Sequence, residues 1–340
     1  MTTVIRGSAA VFAALFSVCA AHAAEPQFVP AADLLAAAVK EGKVVLYTAN
    51  FLDTEQTVSK RFSERFGIQI EIVRAPTGQL ITRVKTEAAA NRMIADVIDI
   101  SDRVQARAMI ELFAPYAPPN AADYPEIART GDRLWPRSGN AWTIAYNAAL
   151  VTDPPKSWAD LAKPEFGKQH LGQTVVAAGG GPFNRAMFER KVLGEDYWVK
   201  QAALKPALFP SQAQMVDAMI RGEITIAPLV TVLAIPLAAQ GAPLKWFFPP
   251  EGVPVTVFSA GIAKGAGHPN AARLFLDWAL SREGQALMVE LGSFSAMANA
   301  PMPEGVDAAA IKTWYPDDDE IAKIFTSWTD DWNKAYGYRQ

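Results

Sequence analysis

Apolar positions in the first half of the chain alternate between strand and helix periods. "KVVLYT" (Lys43–Thr48) is a short apolar run of strand length. From about Thr54, Val58, Phe62 and Phe66 recur at helical spacing until Gly67 ends the pattern. "IQIEIV" (Ile68–Val73) alternates apolar and polar residues and predicts a second strand. In the stretch after it, "PTGQLITRVKTEAA", Leu80, Ile81, Val84 and Ala88 predict a helix beginning near Gln79. "ADVIDIS" (Ala95–Ser101) predicts a third strand and "DRVQARAMIELF" a third helix. Strands alternating with helices predict an α/β fold, a mostly parallel sheet with helices on its faces.

A proline-rich stretch (Ala114–Ala128) interrupts this device, and "NAWTIAYN" (Asn140–Asn147) predicts a strand entering a second unit. There "QTVVAAGGGPFNRAMFERKVLG" reads as a strand running into Gly179, Gly180 and Gly181, then a helix with Pro182 in its first turn and Gly194 at its end. "SQAQMVDAMIRGE" predicts a helix capped by Ser211, and "ITIAPLV" another strand. At 340 residues the chain exceeds the usual size of one core, so two lobes are expected.

The predicted strands of the first unit end on small polar groups: Thr48 with Asn50, Thr77 with Gly78, and Ser101 with Asp102. Open α/β sheets bind ligands beyond the carboxyl ends of their strands. Thr77 has two readings at this point. Its hydroxyl caps the helix, or the helix's first N–H groups hold a ligand's negative charge.

The composition narrows the function classes. Half of the residues are hydrophobic and a fifth charged, and the net charge of −3 gives no electrostatic case for nucleic acid. Arg6, a short apolar run and "AHA" at Ala21–Ala23 form a secretory signal with cleavage expected after Ala23. The run is too short to span a membrane, and cleavage removes Cys19, the only cysteine. A soluble, exported protein without disulfides is expected. The glycine run lacks the Lys-Ser/Thr of a P-loop and the spacing of a dinucleotide fingerprint, so no cofactor is implied. His22 leaves with the signal, and His170 and His268 stand in no metal-ligand spacing. The acidic run Asp317–Glu320 reads as a helix N-terminus facing its dipole, not a metal loop.

"HPNAARLFLDWALSREGQALM" (His268–Met288) resembles the C-terminal helix pair of bacterial ABC-transporter periplasmic solute-binding proteins, in the branch of ferric-iron, polyamine, thiamine and phosphonate binders. "PPKSWADLAKPEFGKQ" (Pro154–Gln169), "VVLYTAN", "TGQLITRVKTEAA" and "ADVIDISD" resemble the same branch in matching order, so the resemblance covers nearly the whole mature chain. It implies two α/β lobes of the type II periplasmic-binding-protein fold, joined by crossing hinge strands. Residues 24–138 plus 252–295 would form one lobe, 139–251 plus 296–340 the other. It places ligand contacts at Thr48, Ala49, Asn50, Thr77, Gly78, Ser101 and Asp102. The facing lobe would supply Gly180, Gly181, Asn184, Arg185, Ser211 and Thr231. This favours the ligand reading of Thr77.

The implied partners are a small ligand and an inner-membrane ABC permease with its ATPase, served by a monomer in the periplasm. Iron binders of the branch carry paired tyrosines where this chain reads "VTVLAIPL" (Val230–Leu237), which offers ferric iron no phenolate. Where they commonly show arginines, Asn140 and Trp142 stand, and Trp142 has two readings, stacking on an organic ligand or packing in the core of a hinge strand. A small organic anion is therefore expected, with Arg185 and the helix N-termini as counter-charges. The alternatives are a ferric-iron or other metal-complex carrier and an exported enzyme on the same scaffold.

Overall fold

The computed structural model describes residues 27–168, 170–178 and 180–339, so the predicted signal segment and Gly179 lie outside the described residues. The chain opens with α1 (Ala32–Glu41), β1 (Lys43–Thr48), α2 (Leu52–Phe66), β2 (Gln69–Arg74), α3 (Thr77–Ala89), β3 (Val97–Ile100) and α4 (Arg103–Ala108). β1 lies between β2 and β3 and runs parallel to both. The side-chain period of two divides β1 between two layers. Val44 and Leu46 pack with Val58, Phe62 and Phe66 of α2, while Val45 and Tyr47 pack with Leu80, Ile81 and Val84 of α3. Covered on both faces, β1 reads as an unbroken apolar run. Gly67 ends α2 at φ 70°, its N–H donating to the Ser63 carbonyl, a conformation glycine adopts without penalty.

β4 (Trp135–Asn147) leaves this unit. The second unit contains β5 (Gly172–Thr174), α5 (Gly181–Leu193), α6 (Tyr197–Ala202), β6 (Ala207–Phe209), α7 (Gln212–Ile220), β7 (Ile226–Val230), α8 (Thr231–Ala239) and β8 (Leu244–Phe247). β9 (Val253–Ile262) returns to the first unit. There follow α9 (Pro269–Ala279) and α10 (Arg282–Glu290), which pack beneath it, then β10 (Thr313–Trp314) and α11 (Asp318–Tyr336). Phe275 and Trp278 of α9 stand 5.3 and 5.4 Å, ring centre to ring centre, from Phe62 of α2.

The eight-stranded sheet runs β2-β1-β3-β9-β4-β7, with β8 on β4 and β10 on β9. Its parallel pairs are β1 with its two neighbours and the short β10 with β9. The long strands β4 and β9 add antiparallel pairing that strand–helix alternation does not encode. β4 pairs with β9 as far as Ala141, and from Trp142 with β7. One strand thus hands over between the two lobes of the molecule, and β9 crosses beside it.

Several predicted elements start or end elsewhere: β4 begins at Trp135, ahead of the predicted Asn140, and the strand predicted to run into the glycines stops at Thr174, followed by a 3₁₀ turn, Val176–Ala178. α3 begins at Thr77, with Pro76 as its cap residue and the Pro76 carbonyl accepting from Gln79 and Leu80. The third helix stops at Ala108 and continues only as a 3₁₀ turn, Ile110–Leu112. Phe113 pairs with Ala263, and its carbonyl accepts from Arg133 Nη1 at 2.8 Å, which draws the chain into an extended path.

Candidate functional site

A cleft of 660 Å³ lies between the lobes, floored by β4 and β9 and walled by helix N-termini. The N-terminal ends of α2, α3, α5, α7 and α8 all contribute to its lining. The first N–H groups of a helix have no intrahelical acceptor and carry the positive end of its dipole. Alternation along β9 sends Thr256 and Phe258 toward this cleft, and Val255 and Val257 to the opposite face. A larger cavity of 900 Å³ lies on that opposite face, where Arg103 and Arg107 already pair with Asp318 and Asp319.

Beneath the cleft lies a buried ionic network. Thr48 Oγ1 donates to Asp99 (3.1 Å) and accepts from the Asn50 N–H (3.1 Å), and Asn50 Nδ2 donates to Glu55 (2.8 Å). Arg137 of β4 donates to both Asp99 and Glu55. Burial pushes the Glu55 carboxyl up even against the Arg137 charge. Thr48 and Asn50 therefore fix the end of β1 from below; neither lines the cleft, whereas Ala49 between them does.

Thr77 and Ser101 line the cleft with their hydroxyls 3.1 Å apart. Thr77 makes no side-chain cap, so its capping role is replaced by this bond to β3. Gly78 is exposed outside the wall, and Asp102 caps α4 by accepting from the Gln105 N–H at 2.9 Å. Gly181, Ser211 and Trp142 line the opposite side. Ser211 caps α7 through the Gln214 N–H (3.3 Å), and Gln212 accepts from the Val230 N–H (3.2 Å), locking α7 to the end of β7. Gly180 and Asn184 border a separate 30 Å³ crevice beside Ser101 and Asp102. Gly180 has φ 53°, and a Cβ there would sit 2.3 Å from Ser101 Oγ, so α5 lies directly on the end of β3.

Arg185 and Thr231 are fully buried and outside the cleft lining. Arg185 stacks behind Trp142 at 5.4 Å and is neutralised by Glu189 on its own helix. Its charge is spent inside the lobe. The cation on the cleft wall is Arg74, at the end of β2, with Nε donating to the Asn50 carbonyl at 3.2 Å. Among the described residues no carboxylate pairs with it, and burial lowers the pKa of its guanidinium from the ordinary value. The rule that selected Thr48 and Ser101 by strand end selects Arg74 too, once β2 is extended by one residue.

Asn140 offers a further polar group: 2 % exposed on the cleft floor, its Oδ1 has no hydrogen-bond partner among the described residues. Beside it Trp142 Nε1 donates to Thr256 Oγ1 at 3.4 Å, leaving the Thr256 hydroxyl hydrogen for another acceptor. Asp53 and Asp217 also border the cleft, both on its exposed rim. Among the described residues no tyrosine or histidine lines it, and no three of His, Cys, Asp and Glu converge as a metal site.

The family model described as "Bacterial extracellular solute-binding protein" matches residues 48–286, which contain the floor and nearly the whole wall of this cleft. The chain belongs to that family. Its members bind small solutes and serve ABC transporters, and they are binding proteins rather than enzymes. An uncharacterised protein from Haemophilus influenzae is 26% identical over 277 residues, covering 74% of this chain and 77% of its own. The periplasmic binding protein AfuA from Actinobacillus pleuropneumoniae, solved with exogenous fructose-6-phosphate bound, superposes with a TM-score of 0.75 at 20% identity, over 88% of this chain and 99% of that one. Iron-bound HitA from Pseudomonas aeruginosa gives 0.70 at 21% identity, over 85% and 99%. Both likenesses are of the two-lobed fold. No helix among the described residues is long and apolar enough to cross a membrane.

Proposed function

We propose that this solute-binding protein works in the periplasm as a monomer. It captures a small organic anion by hinge closure and delivers it to an inner-membrane ABC permease and its ATPase. The lobes would be residues 24–138 with 252–295, and 139–251 with 296–340, closing about β4 and β9. The observation that carries the reading is Arg74, a cleft cation without a carboxylate partner, set among helix N-termini whose dipoles favour the same charge. Asn140 and Thr256 add neutral groups able to orient a polar head. Ferric iron is disfavoured because the cleft wall offers two rim carboxylates and neither phenolate nor imidazole.

Mass spectrometry of small molecules released from denatured purified protein tests this. A carboxylate, phosphate or phosphonate is expected. A stoichiometric ferric ion with a tyrosinate charge-transfer band would overturn the reading.

A further inference from the structure

The wall opposite the anionic pole has a different character. α8 reads Thr-Val-Leu-Ala-Ile-Pro-Leu-Ala-Ala and carries no charged side chain. Leu233, Pro236 and Leu237 line the cleft only half-buried. Phe51 and Leu52 at the start of α2 also line the cleft, Phe51 packed against the cluster of Trp142, Val230 and Val232 and Leu52 45% exposed. Trp142 lies on the floor between the two groups. Apolar side chains held half-exposed around a concavity gain most when a ligand removes them from water. A ligand hydroxyl laid on Leu233, Pro236 or Leu237 would lose hydrogen bonds to water that these side chains cannot replace; the polar groups lining the cleft near this wall are Asp53, Thr54 and Thr57 of α2 and Gln240 after α8.

We infer that the ligand is an amphipathic monoanion, a carboxylate held at Arg74 with an alkyl or aryl body laid against α8 and the start of α2. This rests on the organic-anion reading of the cleft and adds the class of ligand body. Calorimetric titration with acetate, butyrate, hexanoate and phenylacetate, and with fructose 6-phosphate and methylphosphonate, tests it. Affinity should rise roughly fourfold per methylene from acetate to hexanoate. Phenylacetate should bind at least as well as butyrate. Leu52→Ser, at an exposed position that does not threaten folding, should flatten the series, as should Leu237→Ser. Arg74→Gln should weaken every member about equally. Binding of the phosphate or phosphonate probes that depends on Arg74 but shows no gain with chain length overturns the apolar body and leaves the anion reading standing. Failure of the whole carboxylate series to bind overturns the inference as well. Binding indifferent to Arg74 overturns the anion reading beneath it.

Discussion

At the scale of single residues, burial decides which charges remain available. Arg137 and Arg185 are both fully buried and spend their charge on internal carboxylates, whereas Arg74 keeps its charge for the cleft. Arg137→Met would strand Glu55 and Asp99 without a counter-ion. It should cost about 3–5 kcal/mol of unfolding free energy by urea titration at pH 7. A loss below about 1 kcal/mol would show that the network is dispensable. Asp277 of α9 makes a second, pH-dependent case. Burial pushes its carboxyl up to about 6 from the usual 3.8, while the Tyr116 hydroxyl donates to it at 2.7 Å. Between those values the folded protein holds a proton that the unfolded chain has released. Stability should therefore fall as pH rises from about 4 to 6 and level off above, by up to about 3 kcal/mol. Asp277→Asn should flatten that slope and raise stability at pH 7.5; urea curves at pH 4.5 and 7.5 for both proteins would reveal an unchanged slope if Asp277 titrates normally. The strand-end rule found Thr48, Asn50, Thr77 and Ser101 in the sequence. It could not tell wall from foundation, because that depends on Arg137 and Asp99, which meet Thr48 and Asn50 only in the folded chain.

At the scale of elements, the periods of two and 3.6 make β1, α2, β2, α3 and β3 legible to within about two residues at their ends. Local signals failed where long-range bonds override them. Arg133 and the Phe113–Ala263 bridge end the third helix early, and Thr77 bonds to Ser101 rather than capping its own helix. The hand-over of β4 from β9 to β7 at Ala141 and Trp142 is set by its pairing partners, and the β9-paired segment, with Arg137, Ser138, Gly139 and Asn140, lacks the apolar run that predicts a strand. The start of α5 gives a direct test of how closely the lobes approach. Gly180→Ala places a methyl 2.3 Å from Ser101 Oγ, at φ 53° and ψ −121°, a sparsely populated region where a side chain costs roughly 1–3 kcal/mol. The unliganded melting temperature should fall by only a few degrees. Ligand affinity should fall about tenfold or more, because the closed form then requires α5 and β3 to separate. Equal affinity in the variant would mean that closure does not bring these two elements together.

At the scale of the whole molecule, the described form has its lobes in contact. α5 rests on the end of β3, and Arg103 and Arg107 of α4 pair with Asp318 and Asp319 of α11 at 3.3 Å each. In the proposed function the cleft encloses the ligand over a floor held by the Arg137 network, and the Arg74 charge selects it. The most direct measurement is the thermal stabilisation produced by the organic anion recovered from the purified protein, read side by side in the unaltered protein and in Arg74→Gln. At a hundred times its dissociation constant a ligand adds about 2.7 kcal/mol to the unaltered protein. Loss of a charge-assisted contact worth about 1.5–3 kcal/mol should weaken binding roughly ten- to a hundredfold and remove about half of that stabilisation or more. Arg74→Gln should melt at the same temperature as the unaltered protein without ligand and gain at most about half its stabilisation with it; an undiminished ligand shift in the variant would show that Arg74 does not select the ligand.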